Sequence, residues 1–137
     1  MSTALSLKNR PQSNTMRNGV KGIGLAGAAN AVLYLLGISF TFPVTAIAPT
    51  GSPVLLINVL VSTLIGGVGA VVAYYLLTKF LAQPTARLVM WILTILVLIA
   101  SIPGPLSITN VPVSEIVVLN IMHLIAGLVP VYLLTKQ

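Results

Sequence analysis

Apolar residues in this chain come in long unbroken runs, not in stripes, and the polar residues are gathered between them. The runs extend over about residues 20–42, 54–77, 85–102 and 113–134. Each is close to the ~20 residues needed to cross ~30 Å of hydrocarbon at 1.5 Å per residue. Pro and Gly mark the interruptions on one side, as in Phe42-Pro43, Ala48-Pro49-Thr50-Gly51-Ser52-Pro53 and Ile102-Pro103-Gly104-Pro105. These residues turn or break helices, so the pattern predicts loops there, with a short strand possible at Val44–Ala48. The expected fold is an all-α integral membrane four-helix bundle with apolar, Pro/Gly-rich outer loops. Residues 1–18, rich in Ser and Asn, are expected to be a disordered basic cytoplasmic tail. Residues 19–137 are expected to form the transmembrane domain. Ala46-Ile47-Ala48 has the form of a signal cleavage site, but Pro49 follows it, so the first run is read as a retained anchor.

Composition supports lipid over water as the solvent. Charged residues make up 6% of the 137 and hydrophobic residues 57%, with a mean hydropathy of +1.07. Soluble domains carry about 25% charged residues, so this chain cannot clothe a water-facing surface. The net charge of +6 comes from seven Lys/Arg against one acid, Glu115. Lys8, Arg10, Arg17 and Lys21 precede the first run, Lys79 and Arg87 lie between the second and third, and Lys136 follows the fourth. In a four-span chain all seven fall on one side, which the positive-inside rule makes cytoplasmic. Both termini are thus expected in the cytoplasm, and the protein in the inner (plasma) membrane. Trp91, Tyr74, Tyr75 and Tyr132 lean to the same side, as an interfacial aromatic belt would. Basic residues placed at membrane flanks exclude nucleic acid as the expected partner; the bilayer and its headgroups take that place.

Membrane helices associate through small residues and interhelical hydrogen bonds. Gly24, Gly27, Ala28 and Ala31 in the first run, and Gly66, Gly69, Ala70 and Ala73 in the second, form small-xxx-small pairs. These faces are expected to pack the first two helices together, or to pair two copies of the chain. Asn30, Asn58, Thr94, Glu115, Asn120 and His123 are the polar residues that lipid should reject, and all of them but Thr94 form the candidate intramembrane site. Asn30 and His123 fall near mid-span, at a depth where they could share a hydrogen bond. Two readings stand for each: a pocket binding a ligand or exchanging protons, or neutral glue between helices. Glu115 has a further plain reading as a first-turn acid favoured by the helix dipole.

Enzyme motifs are missing. The chain has no Cys and no Asp, and one His and one acid, so a metal cage would have to be shared between chains and a nucleophilic triad would need Glu115 in place of Asp. Gly66-Gly67-Val68-Gly69 is mid-span and lacks the Lys of a phosphate loop. No cofactor is expected. Leu119-Asn120-Ile121-Met122-His123-Leu124-Ile125-Ala126-Gly127, with Asn30 in a Gly/Ala-rich first span and Pro84 and Arg87 in the basic loop, resembles a family of small bacterial membrane proteins. That family is catalogued only as a domain of unknown function, with four expected helices and a Met-His pair in the last. The likeness covers most of the chain after the tail, implies the same four-helix topology and draws attention to Asn30 and His123. The leading expectation is a non-enzymatic accessory or assembly subunit that works through helix contacts with other membrane subunits or with itself. Alternatives are a small oligomeric transporter or channel component using the polar site, and a haem- or quinone-binding subunit using His123.

Overall fold

The computed structural model describes residues 10–40, 55–106 and 113–136. Its long helices are α1 (Arg10–Phe40), α2 (Leu56–Phe80), α3 (Gln83–Ser101) and α5 (Val113–Thr135), and a single turn, α4 (Pro103–Leu106), follows α3. The fold is therefore all-α, with four helices long and apolar enough to cross a membrane. At 1.5 Å per residue, the 19 residues of α3 cover about 28 Å, a close match to the hydrocarbon layer. Few side chains are buried within the bundle, and large apolar ones such as Ile65, Leu88 and Val97 are more than 60% exposed. A surface of that kind suits contact with lipid tails rather than water.

Contacts fix the direction of each helix. Positions 19, 23 and 30 of α1 meet 71, 67 and 63 of α2, and positions 19, 22 and 30 meet 134, 130 and 122 of α5. α1 is thus antiparallel to both, and α2 and α5 are parallel. α3 joins them through Ala86 and Met90, clustered with Tyr74, Val131 and Leu134, and through Leu98 against Gly127. The order is a diamond with α2 and α5 across its short diagonal and α1 and α3 at its far corners; among the described residues α1 and α3 do not touch. One consequence is that Arg10, Arg17, Lys21, Lys79, Arg87 and Lys136 all sit at one end, here called the basic end.

Helix ends follow local chemistry. Pro84 stands in the first turn of α3, where its missing N–H is no loss. α2 ends at Leu81, whose extended backbone turns the chain while its N–H caps the Leu77 carbonyl at 2.8 Å.

Three expectations are corrected. Residues 10–18 continue α1 instead of forming a disordered tail: Pro11 fits a first turn, Arg17 Nη2 donates to Asn14 Oδ1 at 3.3 Å, and Thr15 is buried. Pro103-Gly104-Pro105 winds into α4 rather than an irregular loop. Tyr74 leaves the aromatic belt for the core at 1% exposure, while Tyr75 and Tyr132 stay exposed, with Lys136 Nζ 5.5 Å from the Tyr132 ring centre. Residues 1–9 and the Val44–Ala48 strand lie outside the described residues.

Candidate functional site

Near the middle of the bundle one side chain joins three helices. Asn30 of α1 is 1% exposed, and its Nδ2 donates to Thr63 Oγ1 of α2 at 3.0 Å and to the Met122 carbonyl of α5 at 3.2 Å. The Thr63 hydroxyl in turn donates to the Val59 carbonyl at 2.8 Å. Both amide protons are thereby used, while Asn30 Oδ1 has no hydrogen-bond partner among the described residues. The expected bond between Asn30 and His123 is not formed. Successive residues on a helix are about 100° apart, so Met122 turns its face to α1 while His123 turns away and is exposed.

His123 Nδ1 lies 2.7 Å from the Leu119 carbonyl of its own helix. A carbonyl can only accept, so Nδ1 carries a proton in this contact, and in the tautomer with a single proton Nε2 keeps its lone pair.

Beside this knot runs a groove of about 750 Å³, open rather than enclosed. α2 and α3 part from their turn at Leu81–Ala82, and the space between them is backed by α5. From Asn58 to Ala73 on its α2 wall, at 1.5 Å per residue, it is about 22 Å long. Most of its lining is apolar, from Leu93 and Val97 on α3 and from Leu119, Ala126 and Val131 on α5. Polar groups are few: Asn30, Thr63, Thr94 and His123, with Asn58, Ser62 and Ser101 towards the end opposite the basic one. Near the basic end it stops at Met90 and Val131, members of the core cluster with Tyr74, Ala86 and Leu134.

Three of the five residues of the candidate site, Asn30, Asn58 and His123, line this groove, and so does Thr94. Asn120 does not; its Nδ2 donates to the Ile116 carbonyl at 2.8 Å on its own helix. Glu115 stands apart in the first turn of α5, 3% exposed, its Oε1 without a partner among the described residues.

The small residues are placed differently from the expectation. A Cβ at Gly24, Gly27, Gly66 or Gly69 would meet nothing within 4 Å, and Ala28 is exposed. Close approach of helices occurs instead at Gly22, where a Cβ would stand 2.7 Å from Pro130 Cα, at Gly19 against Val71, and at Gly67 against Ile23. Gly66, Gly69, Ala70 and Ala73 line the groove, and Ala70 and Ala73 also pack on the core cluster. A membrane helix uses a missing side chain in either of two ways: to let a neighbour in or to leave room.

The sequence suggested a pocket at the polar residues but not the small-residue wall that α2 gives the groove, although a signal was present. Asn58, Ser62, Gly66, Gly69 and Ala73 recur at steps of three and four, which is one helical face. Thr63 was missed, and Thr94, singled out as polar, was left out of the candidate site, because a back-bonding hydroxyl is ordinary inside any membrane helix.

No curated protein and no solved structure matches the chain. A family model does, over residues 10–137, beginning at the residue where α1 begins. The chain belongs to DUF6069, a family of unknown function.

Proposed function

We propose that this is a multi-pass membrane protein that holds a lipid-soluble small molecule, taken from the bilayer, without transforming it. The groove carries the reading. Small-molecule sites are concave, about 300–1,000 Å³, mostly apolar and set with a few placed polar groups, and this one has about 750 Å³ with Asn30, Thr63, Thr94 and His123 along it. At the depth of these residues the surroundings are lipid tails, so an occupant is expected to enter from the membrane. A passive role fits the side chains, because Glu115 is not among the lining residues and no second acid or thiol exists in the chain. The inferred orientation places the basic end, with both termini, in the cytoplasm of a cell bounded by an inner membrane, since all seven Lys/Arg belong to that side.

Native mass spectrometry after gentle extraction tests the reading. The 14.3 kDa chain is expected to carry an added mass of several hundred daltons, lost when Gly66→Leu fills the groove. Gly66 has open space around it, so the leucine should not disturb the fold. A bare chain under every gentle condition, or an adduct indifferent to Gly66→Leu, would count against it.

A second reading, an accessory subunit held by helix contacts, is favoured by one observation: Gly24 and Gly27 leave an open face on α1 that no other helix of the bundle uses. The native chain has no Cys, so a single Gly24→Cys variant gives a clean oxidation test. A disulfide-linked pair or a cross-linked neighbour would support this reading; a monomer throughout would end it.

A further inference from the structure

We propose that the groove selects molecules that donate hydrogen bonds, namely long-chain or ring alcohols, phenols and hydroquinols, over counterparts that can only accept. This rests on the reading of the groove as a small-molecule site and adds the chemistry of the head group.

The argument is a census of protons. Thr63 gives its hydroxyl proton to the Val59 carbonyl and Thr94 gives its own to the Met90 carbonyl, each at 2.8 Å. Asn30 spends both amide protons, on Thr63 Oγ1 and the Met122 carbonyl. His123 directs Nδ1 to the Leu119 carbonyl, which, in the tautomer with a single ring proton, leaves Nε2 as a lone pair. Thus the polar side chains along the middle of the groove have their protons committed. Acceptors remain: His123 Nε2, the Thr63 and Thr94 oxygens, and Asn30 Oδ1, which has no partner among the described residues and is itself covered, so a donor reaches it only where the lining gives way.

A buried amide oxygen without a partner costs free energy that a donor removes. In the middle of the groove an incoming hydroxyl meets surplus lone pairs, whereas a ketone, quinone or ether oxygen meets other acceptors there. Asn58 and Ser62, towards the end opposite the basic one, carry protons as well, but the apolar body of a bound molecule has to lie somewhere along the same 22 Å or so and a donating head is best satisfied at the acceptor-rich middle. Sites built to hydrogen-bond a substrate hydroxyl reject the analogue that lacks it, because their polar groups are then left unpaired.

The experiment uses the full chain in lipid nanodiscs and matched pairs on two scaffolds: hexadecanol against hexadecyl methyl ether, and cholesterol against its methyl ether. Each pair shares its apolar body and differs in one donated proton. Competition read by native mass spectrometry is expected to favour each alcohol by about tenfold, the size of one net hydrogen bond. His123→Phe and Thr94→Val, which leave the Asn30 knot in place, are expected to shrink that preference while retaining the ethers. Asn30→Leu should abolish it if the bundle survives. Equal binding of alcohol and ether, with both displaced by Gly66→Leu, would overturn the donor rule and leave the groove reading standing. Failure of both scaffolds to bind would overturn the groove reading and this inference together.

Discussion

Single residues set the two tolerances of this bundle, one steric and one polar. Gly22 and Gly24 are two positions apart on α1, yet a Cβ on the first would press on the Pro130 backbone and on the second would meet open space. Gly22→Ala should therefore lower thermal stability in detergent, by about 1–3 kcal/mol as overpacking does. Gly24→Ala should be neutral or raise it by up to about 1 kcal/mol through helix propensity. A pair of melting curves decides, and equal shifts would mean that α1 and α5 do not meet at Gly22. Asn30 is the polar counterpart. Its two interhelical bonds are each worth roughly 0.6–1.7 kcal/mol by analogy with other membrane helices, so Asn30→Ala should cost about 1–3 kcal/mol. Thr63→Val, which removes one of those two acceptors, should cost about half as much. At this scale the sequence showed which residues were out of place in lipid but not their partners. Asn30 was legible as an intramembrane amide; that it bonds the Met122 carbonyl and not the adjacent His123 depends on the rotation of α5, which no residue type encodes.

At the scale of elements, continuous hydrophobicity was enough to find four helices, because an unsatisfied backbone in hydrocarbon leaves no other option for a lone span. Boundaries were less legible. α1 extends back to Arg10 through residues whose polarity resembles a tail, since polarity reports the solvent and not the backbone conformation. The face of α2 that carries Gly66, Gly69 and Ala73 was legible as a face and misread in purpose: small residues let a neighbouring backbone approach or leave a void, and the sequence is the same for both. That ambiguity has a measurable form. Leucine at Gly66 should preserve melting temperature and block the groove, whereas leucine at Gly67, whose Cβ would press on Ile23, should lower melting temperature. Reversal of that pattern would put the close helix contact on the face carrying Gly66.

For the whole molecule, the separation of charge is the strongest organising feature. With Lys79, Arg87 and Lys136 at the same end as Arg17 and Lys21, the protein should insert one way. In the Cys-free chain, single cysteines at Lys79 and Lys136 should react with a membrane-impermeant thiol reagent only after the cytoplasmic side is opened. Labelling of either from outside intact cells would reverse the inferred orientation.

The diamond arrangement also has a mechanical side. α1, α2 and α5 are tied together at Asn30, whereas α3 reaches the others through the Tyr74–Ala86–Met90–Val131–Leu134 cluster near its start and through Leu98 on Gly127, with no contact to α1 among the described residues. A widening that spares the Asn30 tie falls to α3, pivoting at the basic end like a door leaf on a fixed frame once Leu98 and α4 let go of α5. The girth of what the protein can admit is then set by how far one helix swings, and its length by where the hinge begins.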